Sequence, residues 1–139
     1  MQDPTVQKNI LVVDDDFSVL TVIKAMLESS DYNVAVARTA DVAVSIAERK
    51  NNIDLLLTDV VMPDVDGPHL AEKILTIQPN ARVVFMSGYP LKTYDAENLT
   101  QVGFLPKPFD SRKLLDAIEL AFGVELQTSV ARSSTIFSF

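Results

Sequence analysis

No cysteine occurs in the 139 residues. Its absence excludes thiol catalysis, thiolate metal sites and a disulfide framework, and it gives no reason to expect an oxidising compartment. Long hydrophobic runs are also missing: none approaches the about 18 apolar residues of a membrane span, and residues 1–9 are polar where a signal peptide needs an apolar stretch. The expected location is therefore cytoplasmic, with no membrane partner. Positive charge is scarce, since 12 Lys and Arg stand against 19 Asp and Glu, a formal charge of −7 with a pI near 4.5. Such a surface repels a phosphate backbone, so direct nucleic acid binding is not expected. What remains is apolar and ample. With 47% hydrophobic and 22% charged residues, the chain fits one soluble domain, and at this length a compact fold needs neither disulfides nor a structural metal.

Five short, almost continuously apolar runs recur at 10–13, 34–37, 53–57, 83–86 and 102–105. Runs that are apolar on both faces suit the strands of a parallel sheet covered by helices on each side. Between them lie helix-period segments. Val19, Leu20, Ile23, Met26 and Leu27 fall on one stripe, as do Leu70, Ala71, Ile74 and Leu75, and then Leu114, Leu115, Ile118 and Phe122. A shorter stripe runs through Ala43, Ile46 and Ala47, and the weakest, at 92–100, is short and mostly polar. Asp110 reads as a helix N-cap, Gly123 as the cap that follows the last helix, and Pro79-Asn80 as the stop before the fourth strand. The expectation is an α/β fold, a doubly wound five-stranded parallel sheet with five helices. The pattern leaves strand order open. The expected domain spans 9–123, with an N-terminal extension at 1–8 and a tail or linker at 124–139.

In an open parallel sheet the ligand site lies beyond the carboxyl ends of the strands. The first run ends in Asp14, Asp15 and Asp16, the third in Thr58 and Asp59, the fourth in Ser87 and Gly88, and the fifth in Pro106, Lys107 and Pro108. Adjacent strands lie about 4.8 Å apart. Carboxylates at neighbouring ends could therefore approach within roughly 5 Å, where a like-charge pair costs on the order of 3 kcal/mol at an effective dielectric of about 20. That repulsion calls for a cation. Oxygen ligands without His or Cys favour Mg²⁺, with Mn²⁺ as the alternative, and Mg²⁺ accepts one or two carboxylates plus a phosphate oxygen. A carboxylate beside such a metal and an ammonium can attack phosphorus and form an acyl phosphate. Three consecutive Asp residues also suit a helix cap and a solvated turn, but acids, hydroxyl and ammonium at four separate strand ends argue for a site. His69, the only histidine, reads as a surface or capping residue.

The segments Ile10-Leu-Val-Val-Asp-Asp-Asp16, Asp59-Val-Val-Met-Pro-Asp-Val-Asp-Gly67, Val84-Phe-Met-Ser-Gly88 and Phe104-Leu-Pro-Lys-Pro-Phe109, in this order, resemble the receiver domain of two-component response regulators from about residue 8 to 123. That resemblance implies a flavodoxin-like sheet of order 2-1-3-4-5. By position it implies Asp59 as phosphoryl acceptor, and Asp14 and Asp15 as the acids that hold Mg²⁺ with Asp59 and the backbone carbonyl of Val61. Lys107 would pair with the acceptor and then with the phosphoryl group, across a cis bond to Pro108. Ser87 would turn in to bond the phosphate, and Phe104 would move with it as the switch aromatic. Asp16, Ser87 and Phe104 stand where many receivers have Glu, Thr and Tyr, each keeping the chemical type. The stretch Asn98-Leu-Thr-Gln-Val-Gly103 departs from the Gly-Ala-Asp-Asp type common in receivers that dimerise on DNA. The style is closer to receivers of hybrid histidine kinases, with a single-domain regulator as the other reading.

The implied partners are a histidine kinase or histidine phosphotransfer protein upstream and a downstream protein or covalently linked output domain. The implied function is a phosphorylation-activated switch, not an enzyme, because forming and hydrolysing its own acyl phosphate are reactions of the domain on itself. Its hypothesised output face is the outer surface of 92–100 with the last strand and last helix. Two alternatives stand beside this: a receiver-like binding module indifferent to phosphate, and a haloacid-dehalogenase-like phosphatase, because Asp64-Val-Asp-Gly67 resembles that family's Asp-x-Asp-Gly. The latter motif should follow directly from a strand, whereas here Met62-Pro63 intervenes.

Overall fold

The computed structural model describes residues 7–50, 52–88 and 103–123. Five strands, β1 (Asn9–Val13), β2 (Asn33–Ala37), β3 (Leu55–Asp59), β4 (Arg82–Ser87) and β5 (Gly103–Pro106), form one sheet in the order β2-β1-β3-β4-β5 with every pair parallel. Helices α1 (Phe17–Glu28), α2 (Ala40–Arg49) and α3 (Gly67–Ile77) follow the first three strands, and α4 (Ser111–Gly123) follows β5. The sheet and its order agree with expectation. The expected five helices are corrected to four among the described residues. The fifth was assigned to 92–100, which lies outside them, on a stripe with few apolar side chains to bury against a sheet.

The apolar strand runs are buried on both faces because alternate residues feed two different cores. Leu11, Val13, Leu56, Val83 and Phe85 pack with Ala43 and Ile46 of α2 and with Leu70 and Ile74 of α3. Ile10, Val12, Leu55, Leu57, Val84 and Met86 pack with Leu20, Ile23 and Leu27 of α1 and with Leu114 and Ile118 of α4. Each helix therefore sits where its stripe meets one face of the sheet.

Helix starts follow local chemistry. Asp16 accepts from the N–H groups of Ser18 and Val19 at 2.8 and 3.4 Å, Thr39 from Val42 at 3.2 Å, Asp66 from His69 at 2.9 Å and Asp110 from Lys113 at 2.9 Å, satisfying donors that a helix leaves unpaired in its first turn. Gly123 is the last residue of α4, one place earlier than its expected position beyond the helix. The third strand begins at Leu55 rather than at 53, because Gln78 takes the Ile53 N–H onto its side-chain oxygen at 3.2 Å while donating to the Ala47 carbonyl at 2.9 Å. At its other end β3 runs through Thr58 to finish at Asp59.

Candidate functional site

Strand order reverses between β1 and β3, the place where an open parallel sheet leaves a crevice beyond its carboxyl ends. The register pairs Val13 with Thr58, so the next residues, Asp14 and Asp59, emerge side by side there. β4 adds Ser87, one position beyond the partner of Asp59. β5 ends at Pro106 opposite Ser87, and the Lys107 N–H donates to the Ser87 carbonyl at 2.8 Å. The Lys107–Pro108 bond is cis, as expected.

From this anchor the Lys107 side chain reaches back over β4. Its Nζ donates to Asp14 Oδ2 at 2.9 Å and to Asp59 Oδ2 at 3.3 Å. Asp14 is the most enclosed of the three, with 1% of its side chain exposed against 13% for Asp59 and 27% for Lys107. Its other oxygen accepts from the Asp16 N–H at 2.9 Å. Burial pushes the Asp59 carboxyl above the usual carboxylate range; Lys107 pulls it down, the Asp14 charge pushes it up, and the Val61 N–H lowers it through a hydrogen bond, leaving it raised. Burial works against the Lys107 ammonium as well, but the bonds and charges of Asp14 and Asp59 outweigh it and hold its pKa above the ordinary lysine value.

Asp15 is exposed at the rim, and Arg38 Nη2 donates to its backbone carbonyl at 3.3 Å. Asp14, Asp15 and Asp59 each offer an oxygen within 4.8 Å of the others. Three carboxylates and one ammonium leave this cluster a formal −2 when all are charged. An all-oxygen donor set with that charge fits a hard divalent cation and does not fit zinc or copper.

The other expected site residues fall around this cluster. Ser87 is buried at the end of β4. The Val61 side chain is exposed, two residues beyond Asp59. Phe104 pairs in register with Phe85, half-buried against the core on the α2 and α3 side. His69 is exposed, its Nδ1 2.6 Å from Asp66 Oδ1, in line with the capping reading. Asp64 and Asp66, the phosphatase-like pair, are engaged as helix caps: Asp64 Oδ2 accepts from the Ala40 N–H at 2.8 Å and Asp66 from His69. Sequence reasoning missed the Arg38 contact and the Asp64 contact with α2. Both join residues more than twenty positions apart without any local pattern.

Comparison with known proteins follows the same lines. The family described as response regulator receiver domain matches residues 10–119. The response regulator receiver protein CpdR of Brucella abortus is 33% identical over 116 residues, covering 81% of this chain and 94% of CpdR. The sensor kinase CckA of the same organism is 33% identical over 114 residues, 79% of this chain but 12% of the kinase. The chain likewise spans 20% of a putative two-component response regulator of Arabidopsis thaliana, a small part of such longer relatives. Among solved structures, the receiver domain of the hybrid histidine kinase CckA is similar with a TM-score of 0.71 and 37% identity, covering 81% of this chain and 97% of that one. A receiver domain protein from Methanospirillum hungatei JF-1 gives 0.72 and 30%, covering 83% and 93%.

Proposed function

The chain belongs to the response regulator receiver domain family of two-component signalling, and from that premise we propose that it is a switch that accepts a phosphoryl group on Asp59 in a Mg²⁺-dependent reaction. The observation that carries the proposal is the meeting of Asp14, Asp15 and Asp59 oxygens within 4.8 Å, with the Lys107 ammonium bridging two of them. Asp14, Asp15, Asp59 and the Val61 carbonyl would hold the metal, which supplies charge neutralisation on the transferring phosphoryl oxygens.

Asp59 is the nucleophile. One of its oxygens attacks phosphorus, the bond from phosphorus to the donor breaks, and its electron pair leaves with the donor group, which is an imidazole nitrogen when the donor is a phosphohistidine. The product is an acyl phosphate on the Asp59 side chain. Lys107 screens Asp59 from Asp14 before transfer, and its ammonium then pairs with the new phosphoryl oxygens. Ser87, at the end of the strand next to β3, offers a hydroxyl donor to the same group. The added charge of about −1.5 to −2 draws Ser87 and Lys107 inward, and Phe104 follows in the half-buried position beside Phe85.

The phosphoryl donor is a histidine kinase or a histidine phosphotransfer protein, and the reader of the switched state is a downstream protein or a linked output domain. Breakdown of the acyl phosphate is a reaction of the domain on itself, so the chain acts as a switch rather than as an enzyme on external substrates. The cytoplasm is the compartment for such an exchange, and among the described residues no helix is long and apolar enough to cross a membrane.

Intact mass after incubation with acetyl phosphate and Mg²⁺ tests this directly. One added phosphoryl group is expected on the native chain, with none on Asp59→Asn and none in EDTA. No adduct on any sample, with rapid hydrolysis excluded by a beryllofluoride titration, would favour the phosphate-indifferent binding module.

A further inference from the structure

The loop between Asp59 and α3 is pinned at its base. The Val60 N–H donates to the Met86 carbonyl at 3.0 Å, and the Gly67 N–H closes back onto the Val60 carbonyl at 2.7 Å. Gly67 is required at that closure, because a Cβ there would stand 2.5 Å from the Asp59 carbonyl oxygen. Above this base the loop carries Val61, whose side chain is 46% exposed, and Pro63 and Asp64, both also exposed. Met62 is buried in the core and Val65 packs against it, so among these residues it is the exposed Val61, Pro63 and Asp64 that apolar packing leaves unfastened.

Asp64 meets that need. Its Oδ2 accepts from the Ala40 N–H at 2.8 Å, across 24 residues of sequence. Ala40 is the first residue of α2, and its N–H is one of the donors a helix leaves unpaired, at the end where the helix dipole favours an anion. α2 already has its own N-cap, because Thr39 accepts from Val42. Thr39 leaves the Ala40 N–H unpaired, so the Asp64 bond satisfies a second donor of the helix and at the same time fastens the loop to it. The connection continues past α2. Three residues before Ala40, the Ala37 carbonyl accepts from the Asp14 N–H at 3.2 Å, so the loop after Asp59 and the strand end at Asp14 are fastened to the same short turn.

We infer that Asp64 is a positioning residue for the metal site, holding the 60–66 loop, and with it the backbone of Val61, in register with Asp14 through the start of α2. The inference rests on the metal-binding reading proposed above. Asp64 does not touch the metal in this account; it sets the position of a group that does. Outer partners of this kind typically change metal affinity by about 10- to 100-fold when removed, and a tether acting on a whole loop belongs at the low end.

The test is calorimetric titration of the metal-free full chain with Mg²⁺, for the native protein and for Asp64→Ala, Asp64→Asn and Ala40→Pro. Asp64→Ala removes the acceptor. Asp64→Asn removes the charge but keeps an acceptor oxygen. Ala40→Pro removes the donor from the other side, at a first helical position where proline is well tolerated and after a Thr39 already extended at φ −137° and ψ 161°. Expected are an about tenfold higher Kd for Asp64→Ala and Ala40→Pro, near-native affinity for Asp64→Asn, and faster amide exchange over 60–66 in the first two without metal. At saturating Mg²⁺, phosphorylation by acetyl phosphate should return to the native rate, which a general loss of structure would not permit. Native affinity in both Asp64→Ala and Ala40→Pro overturns the inference while leaving the metal site standing. So does an Asp64→Asn as weak as Asp64→Ala beside a native-like Ala40→Pro, since charge alone would then be responsible. Absence of Mg²⁺ binding by the native chain removes the metal reading itself, and this inference with it. Should Asp64→Ala fail to fold, Ala40→Pro decides.

Discussion

Asp14 and Asp59 place like charges at adjacent strand ends, and one ammonium serves both. The Asp59 carboxyl, raised chiefly by burial with the Asp14 charge adding to it, is less comfortable ionised in the folded chain than in the unfolded one. Between its unfolded pKa and its raised folded pKa the folded state binds more protons, so stability from this group falls as pH rises through that window and stays lower above it. That is opposite to the usual carboxylate. Asp64 behaves in the usual way: the Ala40 bond holds its carboxyl below the ordinary range, and its contribution is lost as pH falls through the depressed value. Lys107, with a raised pKa, contributes fully below the unfolded lysine value and loses its contribution only as pH climbs through the folded one. The metal-free Asp59→Asn variant, which lacks the strained carboxylate, is therefore expected to be more stable than the native chain near neutral pH. The gap should narrow as pH falls toward 4 and Asp59 takes up its proton. Urea midpoints of the two proteins across that range check it; a gap that stays constant or widens on acidification would contradict the assignment.

Among the elements, the three consecutive Asp residues show how one sequence feature divides into separate roles. A cap and a metal site both fit the sequence: Asp16 caps α1, while Asp14 and Asp15 join Asp59 in a carboxylate cluster compatible with a divalent metal. Asp16→Ala should cost about 1 kcal/mol of stability, the usual worth of an N-cap, with Mg²⁺ affinity unchanged, because the bond to Asp14 comes from the residue 16 backbone N–H and survives the substitution. Asp15→Asn should do the reverse, weakening Mg²⁺ binding while leaving the urea midpoint almost in place. Comparing the two titrations with the two unfolding curves separates the roles; a stability loss confined to Asp15→Asn would assign them the other way round. The same element scale explains what could be read in advance. Strand ends were legible because a parallel sheet makes whole runs apolar and polar chemistry begins abruptly where they stop. The start of β3 was not, since the Gln78 side chain, 25 residues away, ties off Ile53. Nor was the Asp64 contact with Ala40, which depends on how two loops lie after the sheet has formed. The fifth expected helix, at 92–100, lies outside the described residues, which hold four; it was read from the alternation of strands and helices more than from its own mostly polar residues.

At the scale of the whole molecule, the sheet separates two cores, and the site sits on their common upper edge. Phe104 belongs to the core shared with α2 and α3, while its neighbour Leu105 belongs to the one shared with α1 and α4. The strand that carries the Lys107 anchor is thus held by both cores and, among the described residues, is paired only to β4. A phosphoryl group on Asp59 can shift this strand only by binding one position of it better than another. In the proposed switch Ser87 and Lys107 would provide that difference, and the Lys107 N–H to Ser87 carbonyl bond, which joins the ends of β4 and β5, would pass it between them. The ring of Phe104, paired in register with Phe85, would be the bulk that moves with them in that switch. Phe104→Ala removes that bulk at a half-buried position, for a stability loss below the about 3–5 kcal/mol of a fully buried Phe, and leaves Asp59, Asp14, Asp15 and Lys107 untouched. The variant is expected to take up a phosphoryl group from acetyl phosphate to the native extent. Its amide exchange over 82–87 and 103–106 should respond to Mg²⁺ with beryllofluoride much less than the native chain does. An equal exchange response in both proteins would show that the signal leaves the site by a path that does not use this ring.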